Sequence, residues 1–320
     1  ERADLEKQAA LHGVELSVTD AVPTLENASL AAGCIGVSIL GQGCIDAALL
    51  DAYHALGIRY LSTRTIGYDH IDLDHARSIG LRVCSASYAP NGVADFTVMM
   101  ILMCLRHYKQ ALWRGQVNDF SLTGLQGREM KDLTIGIIGT GRIGAQVARN
   151  LSGFGCRILA YDLRRNPAVE PQVTYVDFDT LLAQSDVITL HMPLLDSNRH
   201  IINRESVAKM RDGVVIVNCS RGELADIEAL IEGIETGKIG ALGMDTVEGD
   251  EGIIHADHRV DILPNRNWFY LHQFRNVIMT QHMAFYTDAA VSSMVDCGIG
   301  GVCQMAAGES CPTELTGPVQ

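Results

Sequence analysis

Three side chains in the second half of the chain stand at the ends of short apolar runs and suit one chemistry. They are Arg221, Asp245 and His282. A guanidinium binds a carboxylate through paired hydrogen bonds, and an imidazole readily gives up a proton near neutral pH. If the apolar runs are neighbouring parallel strands, all three groups lie at one edge of a sheet, where open α/β sheets bind ligands.

Each of these residues also has an ordinary structural interpretation. Arg221 could cap a helix or lie on the surface. Asp245 is followed closely by Glu248, Asp250 and Glu251, and such a cluster is usually a solvated acidic loop. Negative charges packed near a cleft also raise the pKa of a neighbouring histidine. The rest of the chain has to distinguish these interpretations.

A glycine-rich motif, G-T-G-R-I-G at 139–144, supplies part of that context. It follows an apolar run and opens a helical pattern, as a dinucleotide-binding loop must. Gly139 makes the tight turn, Gly141 lets the backbone approach a pyrophosphate, and Gly144 lets the helix pack on the strand. The helix N-terminus supplies N–H groups for phosphate. The alternative is a glycine-rich turn in an ordinary βαβ unit.

An acid at the end of the next apolar run extends the motif. Asp162 lies eighteen residues beyond Gly144, in the sequence L-A-Y-D. A carboxylate there accepts hydrogen bonds from an adenosine ribose and repels a 2′-phosphate, so it favours NAD over NADP. Arg164 and Arg165 follow closely and could weaken that rejection.

Together these groups predict the reduction of a 2-oxo acid to a 2-hydroxy acid. Reduced nicotinamide supplies hydride to the carbonyl carbon, and His282 gives a proton to the carbonyl oxygen. Arg221 anchors the substrate carboxylate and polarises the adjacent carbonyl. An acidic side chain keeps His282 protonated.

The elements that must position these residues alternate between strand and helix. In the first third, strands are expected at 35–40, 60–63 and 82–85, with helices at 45–56 and 72–79. A long helix is expected from about Gly92 to Arg114. The second series has strands at 134–138, 157–161, 187–191, 214–218, 241–245 and 277–280. Strands separated by helices pair in parallel, and six strands make a complete dinucleotide-binding sheet.

The predicted fold class is therefore α/β, with two doubly wound parallel-sheet domains. A Rossmann nucleotide domain at 96–285 is inserted into a flavodoxin-like substrate domain made of 1–95 and 286–320. The chain begins inside a helical pattern, whereas an open sheet usually begins with a strand. A first strand and its turn are therefore expected to be missing from this N-terminus.

Composition disfavours several other classes of function. The formal net charge of −13 argues against nucleic acid or an anionic membrane as a partner, because phosphate binding needs clustered Lys and Arg. No apolar run reaches the length of a membrane span. The nine cysteines contain no C-x-x-C pair. This pattern predicts a reducing, cytoplasmic compartment, with neither a disulfide framework nor a zinc or other metal site.

Several motifs in order resemble those of the D-isomer-specific 2-hydroxyacid dehydrogenases, and among them the fermentative D-lactate dehydrogenases. They are S-T-R-T-I-G-Y-D-H-I-D (62–72), Y-A-P-N-G-V-A-D (88–95), G-T-G-R-I-G (139–144), Y-D-L-R-R-N-P (161–167), L-H-M-P (190–193), N-C-S-R-G-E-L-A-D (218–226), M-D-T-V-E-G-D-E (244–251) and H-M-A-F-Y-T-D (282–288). The resemblance covers nearly the whole chain. It implies NAD as the cofactor, a small 2-oxo or 2-hydroxy acid as the substrate, and a homodimer formed through the long helix and the nucleotide domain.

The resemblance also implies roles for individual residues. It places Arg221 and His282 at the catalytic Arg and acid/base His of the family, and Asp250 at the third catalytic position. Residues implied to bind the cofactor, besides the three glycines of the loop, are Arg142, Ile143, Asp162, Met192, Pro193, Asn198, Cys219, Ser220 and, on the nicotinamide side, Asp245.

Three residues of the first third are implied to bind substrate. The backbone N–H groups of Ile66 and Gly67 would bind the substrate carboxylate, together with Arg221. Tyr88 would line the substrate pocket.

Two positions depart from the family pattern. The residue five past Asp245 is usually Glu, whereas Asp250 is one methylene shorter. Three outcomes are open. A loop shift could still bring Asp250 to His282, or Glu251 could take the place of Asp250. In the third, no carboxylate stabilises the protonated form of His282. Gln281 stands where the family usually has Pro, which frees φ and adds an N–H. His282 is therefore expected to be held less firmly.

Two other functions stay open on the sequence. One is a nucleotide-sensing regulator or corepressor that uses NAD binding as its switch. The other is a different oxidation on the same scaffold, such as that of formate, phosphite or phosphoglycerate. Because Arg221 and His282 occur together, the dehydrogenase is favoured, with pyruvate or a somewhat larger 2-oxo acid as its expected substrate.

Overall fold

Short apolar segments form the strands of two separate parallel sheets in the computed structural model, which describes residues 1–41 and 43–317. The sheets belong to two units of the chain. Unit 1 comprises Glu1–Ala89 and Tyr286–Gln320, and unit 2 comprises Pro90–Phe285. Among the described residues, no helix combines the length and the apolar character needed to cross a bilayer.

The sheet of unit 1 has the order β1-β2-β3. The strands and helices of this unit are α1 Arg2–His12, β1 Gly36–Ile39, α2 Ala47–Ala55, β2 Tyr60–Thr63, α3 Leu73–Ser78, β3 Arg82–Cys84 and α11 Asp288–Ala306. Asp46 and Asp72 begin α2 and α3 as N-caps, because their carboxylates accept the N–H groups of Leu49 and His75 at 2.9 Å.

Helix α11 packs on α1 and on the sheet of unit 1. Its approach is close, since a Cβ on Gly298 would lie 2.9 Å from the Ser38 hydroxyl oxygen. After the helix, Glu314 accepts hydrogen bonds at 2.9 and 2.6 Å from two nitrogens of the Arg82 guanidinium. This paired contact ties the C-terminal segment to β3.

Unit 2 contains a larger doubly wound sheet of order β6-β5-β4-β7-β8-β9-β10. The elements of this unit are α4 Asn91–Leu105, α5 Tyr108–Gln116, β4 Thr134–Ile138, α6 Arg142–Ser152, β5 Arg157–Tyr161, β6 Thr174–Tyr175, α7 Phe178–Gln184, β7 Val187–Leu190, α8 Arg204–Lys209, β8 Val214–Asn218, α9 Ile227–Glu235, β9 Ile239–Met244, α10 Arg266–His272 and β10 Val277–Met279. Every residue of β7 and β8 is buried, as expected for central parallel strands covered on both faces.

The order of these strands positions the candidate site. Going along the chain, strands are added on one side of β4 as far as β6, and β7 then pairs on its other side. The crevice at such a switch point, beyond the carboxyl ends of the strands, is where doubly wound sheets bind ligands. Strands β8, β9 and β10 are direct neighbours, so the segments that follow them share one edge of the sheet.

The prediction of one long helix from Gly92 to Arg114 is wrong in one respect, because two helices occupy this segment. Helix α4 ends before His107, which has a φ of 50°, and α5 begins after it. A left-handed residue interrupts the helical hydrogen-bond ladder. His107 is held by contacts far along the chain, with its Nε2 3.1 Å from the carbonyl oxygen of Gln126. The helical pattern continues through the break and therefore contains no signal for it.

The expectation of six strands in unit 2 also needs correction. Strand β6, Thr174–Tyr175, pairs in parallel with Leu159 and Ala160 of β5 and adds a seventh strand at the edge of the sheet of this fully described unit. A two-residue strand is too short to show the alternation from which a strand is recognised.

Candidate active site

The glycine loop joins β4 to α6 at the switch point. Gly139 has a φ of 92°, and a Cβ there would lie 2.6 Å from the carbonyl oxygen of His191. A Cβ on Gly144 would collide with the carbonyl oxygen of Gly139. Around Gly141, by contrast, no heavy atom of the described residues other than its chain neighbours lies within 4 Å of an added Cβ. The loop thus combines close packing beneath with open backbone above, which fits the pyrophosphate of a dinucleotide at a helix N-terminus.

The side chains around this loop also fit a dinucleotide. Arg142 and Ile143 form the first turn of α6. Asp162, directly after β5, accepts hydrogen bonds on Oδ2 from the N–H and hydroxyl of Thr140 at 2.6 and 3.1 Å. Its Oδ1 accepts the N–H of Arg164 at 2.9 Å. The acid is therefore held in a fixed orientation at the strand end where the adenosine ribose is expected.

The segments after β7 and β8 bring together the other residues implied to bind cofactor. Ser220 donates from its hydroxyl to the carbonyl oxygen of Met192 at 2.8 Å. Asn198 donates from Nδ2 to the carbonyl oxygen of Pro193 at 2.8 Å. Cys219 is buried, and burial raises the pKa of its thiol, so this side chain stays neutral. These contacts fix the backbone of both segments beside the switch point.

Histidine 191 adds no positive charge to this region. Burial lowers the pKa of His191 to about 3. Its Nε2 lies 2.9 Å from the hydroxyl oxygen of Thr189. The neutral ring therefore acts as part of the wall behind the glycine loop.

Arg221 is positioned by a turn that the fully buried Asn218 organises. Asn218 donates from Nδ2 to the carbonyl oxygen of Arg221 at 2.7 Å and accepts the N–H of Ser220 at 3.0 Å. The Arg221 guanidinium donates to the carbonyl oxygen of Ser220 at 2.9 Å. Gly222 packs tightly, because a Cβ there would lie 2.5 Å from the carbonyl oxygen of Val247. The sequence did not single out Asn218, although it ends a fully apolar run.

Asp245 holds the segment that contains His282. It is 1% exposed, and its Oδ1 accepts the Thr280 hydroxyl at 2.5 Å and the N–H of Met283 at 2.9 Å. Oδ2 accepts the N–H of Ala284 at 2.8 Å. His282 lies within this clamped segment with a φ of 52°, a left-handed conformation that non-glycine residues adopt mainly where neighbouring contacts enforce it. This positioning role was not predicted from the sequence.

A second histidine, His255, lies beside His282, and the sequence pattern does not single it out. The ring centroids of His255 and His282 are 6.2 Å apart, and Nε2 of His255 lies 3.3 Å from the carbonyl oxygen of His282. His255 is left-handed as well, with a φ of 63°. Phe285 meets both rings edge-on, at 6.3 Å from His282 and 6.4 Å from His255. Two aromatic rings of the same unit thus lie beside the His282 imidazole.

The acidic side chains that follow Asp245 contact different partners. Glu248 pairs with His200, whose Nε2 lies 2.6 Å from its Oε1, and accepts the N–H of Ile227 at 3.3 Å. Asp250 instead turns back on its own loop and accepts the N–H of Val247 at 3.2 Å. Glu248 therefore braces the loop against the segment before α8 and against the start of α9.

The Asp250 carboxyl is the perturbed acid of this loop. Burial raises the pKa of Asp250 to about 6, and the negative charges of Glu223 and Glu251 add to that effect. The N–H of Val247 and the side chain of His255 act in the opposite direction. An acid that titrates near pH 6 and interacts with a neighbouring histidine, His255, is a candidate for acid–base chemistry.

Ile66, Gly67 and Tyr88 lie in unit 1, in the loops that follow β2 and β3. The first of these loops is ordered by Thr65, which donates from its hydroxyl to the carbonyl oxygen of Gly67 at 2.6 Å. The substrate-binding roles implied for these three residues stay predictions. Within residues 1–41 and 43–317, no group of His, Cys, Asp and Glu has the arrangement of a metal site.

A doubly wound sheet with a dinucleotide loop at its switch point defines the class of this protein, a dinucleotide-binding protein. The model of the NAD-binding domain of the D-isomer specific 2-hydroxyacid dehydrogenases matches residues 98–284. The chain belongs to this family, and it is an NAD-dependent D-2-hydroxyacid dehydrogenase.

Relatives match most of the chain. An aromatic 2-oxoacid reductase of Clostridium sporogenes is 42% identical over 287 residues, which cover 89% of this chain and 86% of that protein. The D-lactate dehydrogenase of Escherichia coli K12 is 37% identical over 305 residues, covering 95% and 93%. The NAD-complexed D-isomer specific 2-hydroxyacid dehydrogenase of Lactobacillus delbrueckii ssp. bulgaricus superposes with a TM-score of 0.81 at 30% identity, covering 98% and 96%.

These comparisons confirm the family, the α/β fold class, the enzyme class and NAD as the cofactor, all of which the sequence predicted. The alternative of a nucleotide-sensing regulator is not favoured. The similar proteins named above are a reductase and dehydrogenases.

Proposed function

We propose that the protein reduces a 2-oxo acid to the D-2-hydroxy acid, with His282 as the proton donor and Arg221 as the residue that binds the substrate. The observation that carries this proposal is the clamp made by Asp245. It holds the His282 segment against the end of β9, and the Arg221 turn follows the neighbouring strand β8. A guanidinium and an imidazole at one sheet edge suit a substrate with a carboxylate beside a carbonyl.

Each side chain has a distinct task in this reaction. Bound NADH supplies the hydride. The Arg221 guanidinium binds the substrate carboxylate through paired hydrogen bonds and draws electron density from the carbonyl. His282 then gives its proton to the carbonyl oxygen, and an ionised Asp250 favours the protonated imidazole.

Pyruvate or a somewhat larger 2-oxo acid is the proposed substrate. The similarity to the D-lactate dehydrogenase of Escherichia coli supports a substrate with a small side chain. The aromatic 2-oxoacid reductase of Clostridium sporogenes supports a second candidate, an aromatic 2-oxo acid such as phenylpyruvate. The two candidates differ only in the side chain that the pocket accepts.

The test is NADH oxidation with pyruvate, 2-oxobutyrate, 2-oxoisocaproate, phenylpyruvate, oxaloacetate and 2-oxoglutarate, together with the chirality of each product. We expect a D-product, and the ratio of kcat/KM for phenylpyruvate to that for pyruvate decides between the two candidates. Binding of NADH without turnover of any of these acids would overturn the proposal.

The pH dependence of kcat/KM should reveal the role of Asp250. Because the pKa of Asp250 is about 6, its carboxyl becomes protonated below that pH and stops supporting the charged His282. Above that pH the ionised carboxyl favours the charged imidazole, so it extends the alkaline limb of kcat/KM to higher pH. In the Asp250→Asn variant we expect the alkaline limb to move to lower pH, since an unsupported imidazolium loses its proton sooner.

Two further variants separate the alternatives for this acid. Asp250→Glu keeps a carboxylate and should return the alkaline limb toward its wild-type position. Glu251→Gln removes a charge that raises the pKa of Asp250, so Asp250 stays ionised above about pH 6 and the alkaline limb should keep its position. If Glu251→Gln moves the profile and Asp250→Asn does not, Glu251 is the supporting acid and the role given to Asp250 is wrong.

We propose that the protein forms a homodimer through α4 and α5. Helix α5 buries none of its residues, and its Trp113 is 64% exposed. Met99 of α4 and Phe154 after α6 add exposed apolar surface in the same unit. Exposed aromatic and aliphatic side chains of this kind are typical of surfaces that an interface covers.

The free cysteines fit a reducing cytoplasm, which we propose as the compartment.

Light scattering in solution tests the dimer. The expected mass is twice the monomer mass of 34.7 kDa. Trp113→Glu should shift the protein to monomer, because a buried unpaired charge is costly in an interface. Ile262→Glu, at a fully exposed apolar residue elsewhere in unit 2, is the control and should stay dimeric. A monomeric wild-type protein would contradict the proposal.

A further inference from the structure

The hydroxyl of Tyr175 stands in a relay of hydrogen bonds that ends on Asp162. The N–H of Asn166 donates to the Tyr175 oxygen at 2.9 Å. Tyr175 donates to the Thr140 hydroxyl at 2.8 Å, and Thr140 donates to Oδ2 of Asp162 at 3.1 Å. Asn166 also donates from Nδ2 to the carbonyl oxygen of Thr140 at 2.8 Å. Each member has a partner, so the relay fixes the carboxylate expected at the adenosine ribose.

Strand β6 places Tyr175 in this position. Its pairing with β5 aligns Tyr175 with Ala160, two residues before Asp162. A parallel neighbour in this register brings the tyrosine to the same end of the sheet as the acid. The short edge strand that the sequence pattern did not reveal therefore delivers a side chain to the cofactor site.

The ring of Tyr175 also holds Arg165. The guanidinium carbon of Arg165 lies 5.4 Å from the centroid of the ring, within the range of a cation–π contact. Arg165 is three residues beyond Asp162 and is exposed. A cation so near a ribose-binding acid is the group that would otherwise pair with a 2′-phosphate.

We propose that Tyr175 is a specificity-determining residue that keeps this enzyme selective for NAD over NADP. Its hydroxyl holds Asp162 where the carboxylate repels a 2′-phosphate. Its ring engages Arg165 and withholds that guanidinium from the phosphate. One side chain thus strengthens the repulsion and removes the compensating attraction, although Arg164 and Arg165 lie two and three residues beyond the acid.

The test measures binding at the adenosine end of the site and does not depend on the 2-oxo acid. The dissociation constants of adenosine 2′,5′-bisphosphate and of 5′-AMP are determined by calorimetry, and their ratio is the discrimination against a 2′-phosphate. The kcat/KM ratio for NADPH and NADH is then measured with a 2-oxo acid that the wild-type enzyme reduces. Both ratios should move together.

Two single variants separate the hydroxyl from the ring. Tyr175→Leu removes the relay and the cation–π contact, and we expect discrimination to fall about tenfold as Arg165 reaches the phosphate. Tyr175→Phe keeps the ring and loses only the hydroxyl. Discrimination should then fall about threefold, because Asp162 loosens while Arg165 stays engaged.

Adding a second substitution identifies the arginine. Tyr175→Leu combined with Arg165→Gln should regain most of the lost discrimination, and Tyr175→Leu combined with Arg164→Gln should not. The proposal is overturned if Tyr175→Leu changes discrimination less than twofold, or if Arg164→Gln is the substitution that restores it. Should Tyr175→Leu fail to fold, an unchanged ratio in the near-isosteric Tyr175→Phe overturns it as well.

Discussion

Replacing Arg221 with Gln is expected to lower kcat/KM for the 2-oxo acid by about a thousandfold, because the substrate loses both its carboxylate partner and the cation that polarises its carbonyl. The turn that carries Arg221 is held by Asn218 through the backbone, so the variant should fold normally. Binding of NADH, followed by nicotinamide fluorescence, should stay within about twofold of the wild-type value.

Two companion variants sharpen this experiment. Arg221→Lys keeps a positive charge but lacks the planar pair of donors, so it should recover only part of the loss. Arg204→Gln removes a surface arginine that pairs with Glu232, and it should leave the kinetics unchanged. Activity close to wild type in Arg221→Gln would show that another group binds the carboxylate.

Replacing His282 with Asn should lower kcat by about 10²- to 10⁴-fold, the usual contribution of a general acid. The fold should survive, since Asp245 binds the segment through Thr280, Met283 and Ala284 and not through the imidazole. The alkaline limb of the pH profile should disappear with the ionisable group. Stopped-flow and steady-state rates from pH 5 to 9 measure both effects.

His255 provides the matched control for this histidine. It lies beside His282 and contacts its backbone oxygen. His255→Asn should therefore change the rate far less than His282→Asn and leave an alkaline limb in place. If His255→Asn abolishes the limb and His282→Asn does not, the proton donor is His255, and the role given to His282 is wrong.

The structure shows the surroundings of the two residues that depart from the family pattern, Asp250 and Gln281. Asp250 bonds to its own loop through the N–H of Val247, and burial raises its pKa to about 6. The charge of this shorter acid therefore changes near pH 6. Gln281 precedes a histidine whose segment is held by the buried Asp245. These hydrogen bonds do not involve Gln281, so they form whichever residue precedes His282.

Much of this could be predicted because it depends on local patterns. Apolar runs separated by helical stretches indicate parallel strands, and both parallel sheets are present. Three glycines at fixed spacing after a strand indicate a dinucleotide loop, and the NAD-binding family model covers that region. Arg221 and His282 each follow a predicted strand, a property that is readable from residues a few positions apart.

Other features arise only when distant residues meet. Asp245 contacts Thr280, Met283 and Ala284, which lie 35 to 39 positions further along the chain. His255 reaches the backbone of His282 across 27 positions. Such contacts depend on which strands are neighbours and in what register, and residue order alone does not specify either.

The amino-acid sequence by itself thus determined the fold class, the cofactor and the residue types available for catalysis, because these follow from periodicity, glycine spacing and side-chain chemistry. Only the tertiary structure decided the break at His107, the edge strand that carries Tyr175, and the burial that perturbs Asp250. Burial and long-range hydrogen bonds are properties of the packed chain, and they set the orientation and charge of groups whose identity the sequence had already supplied.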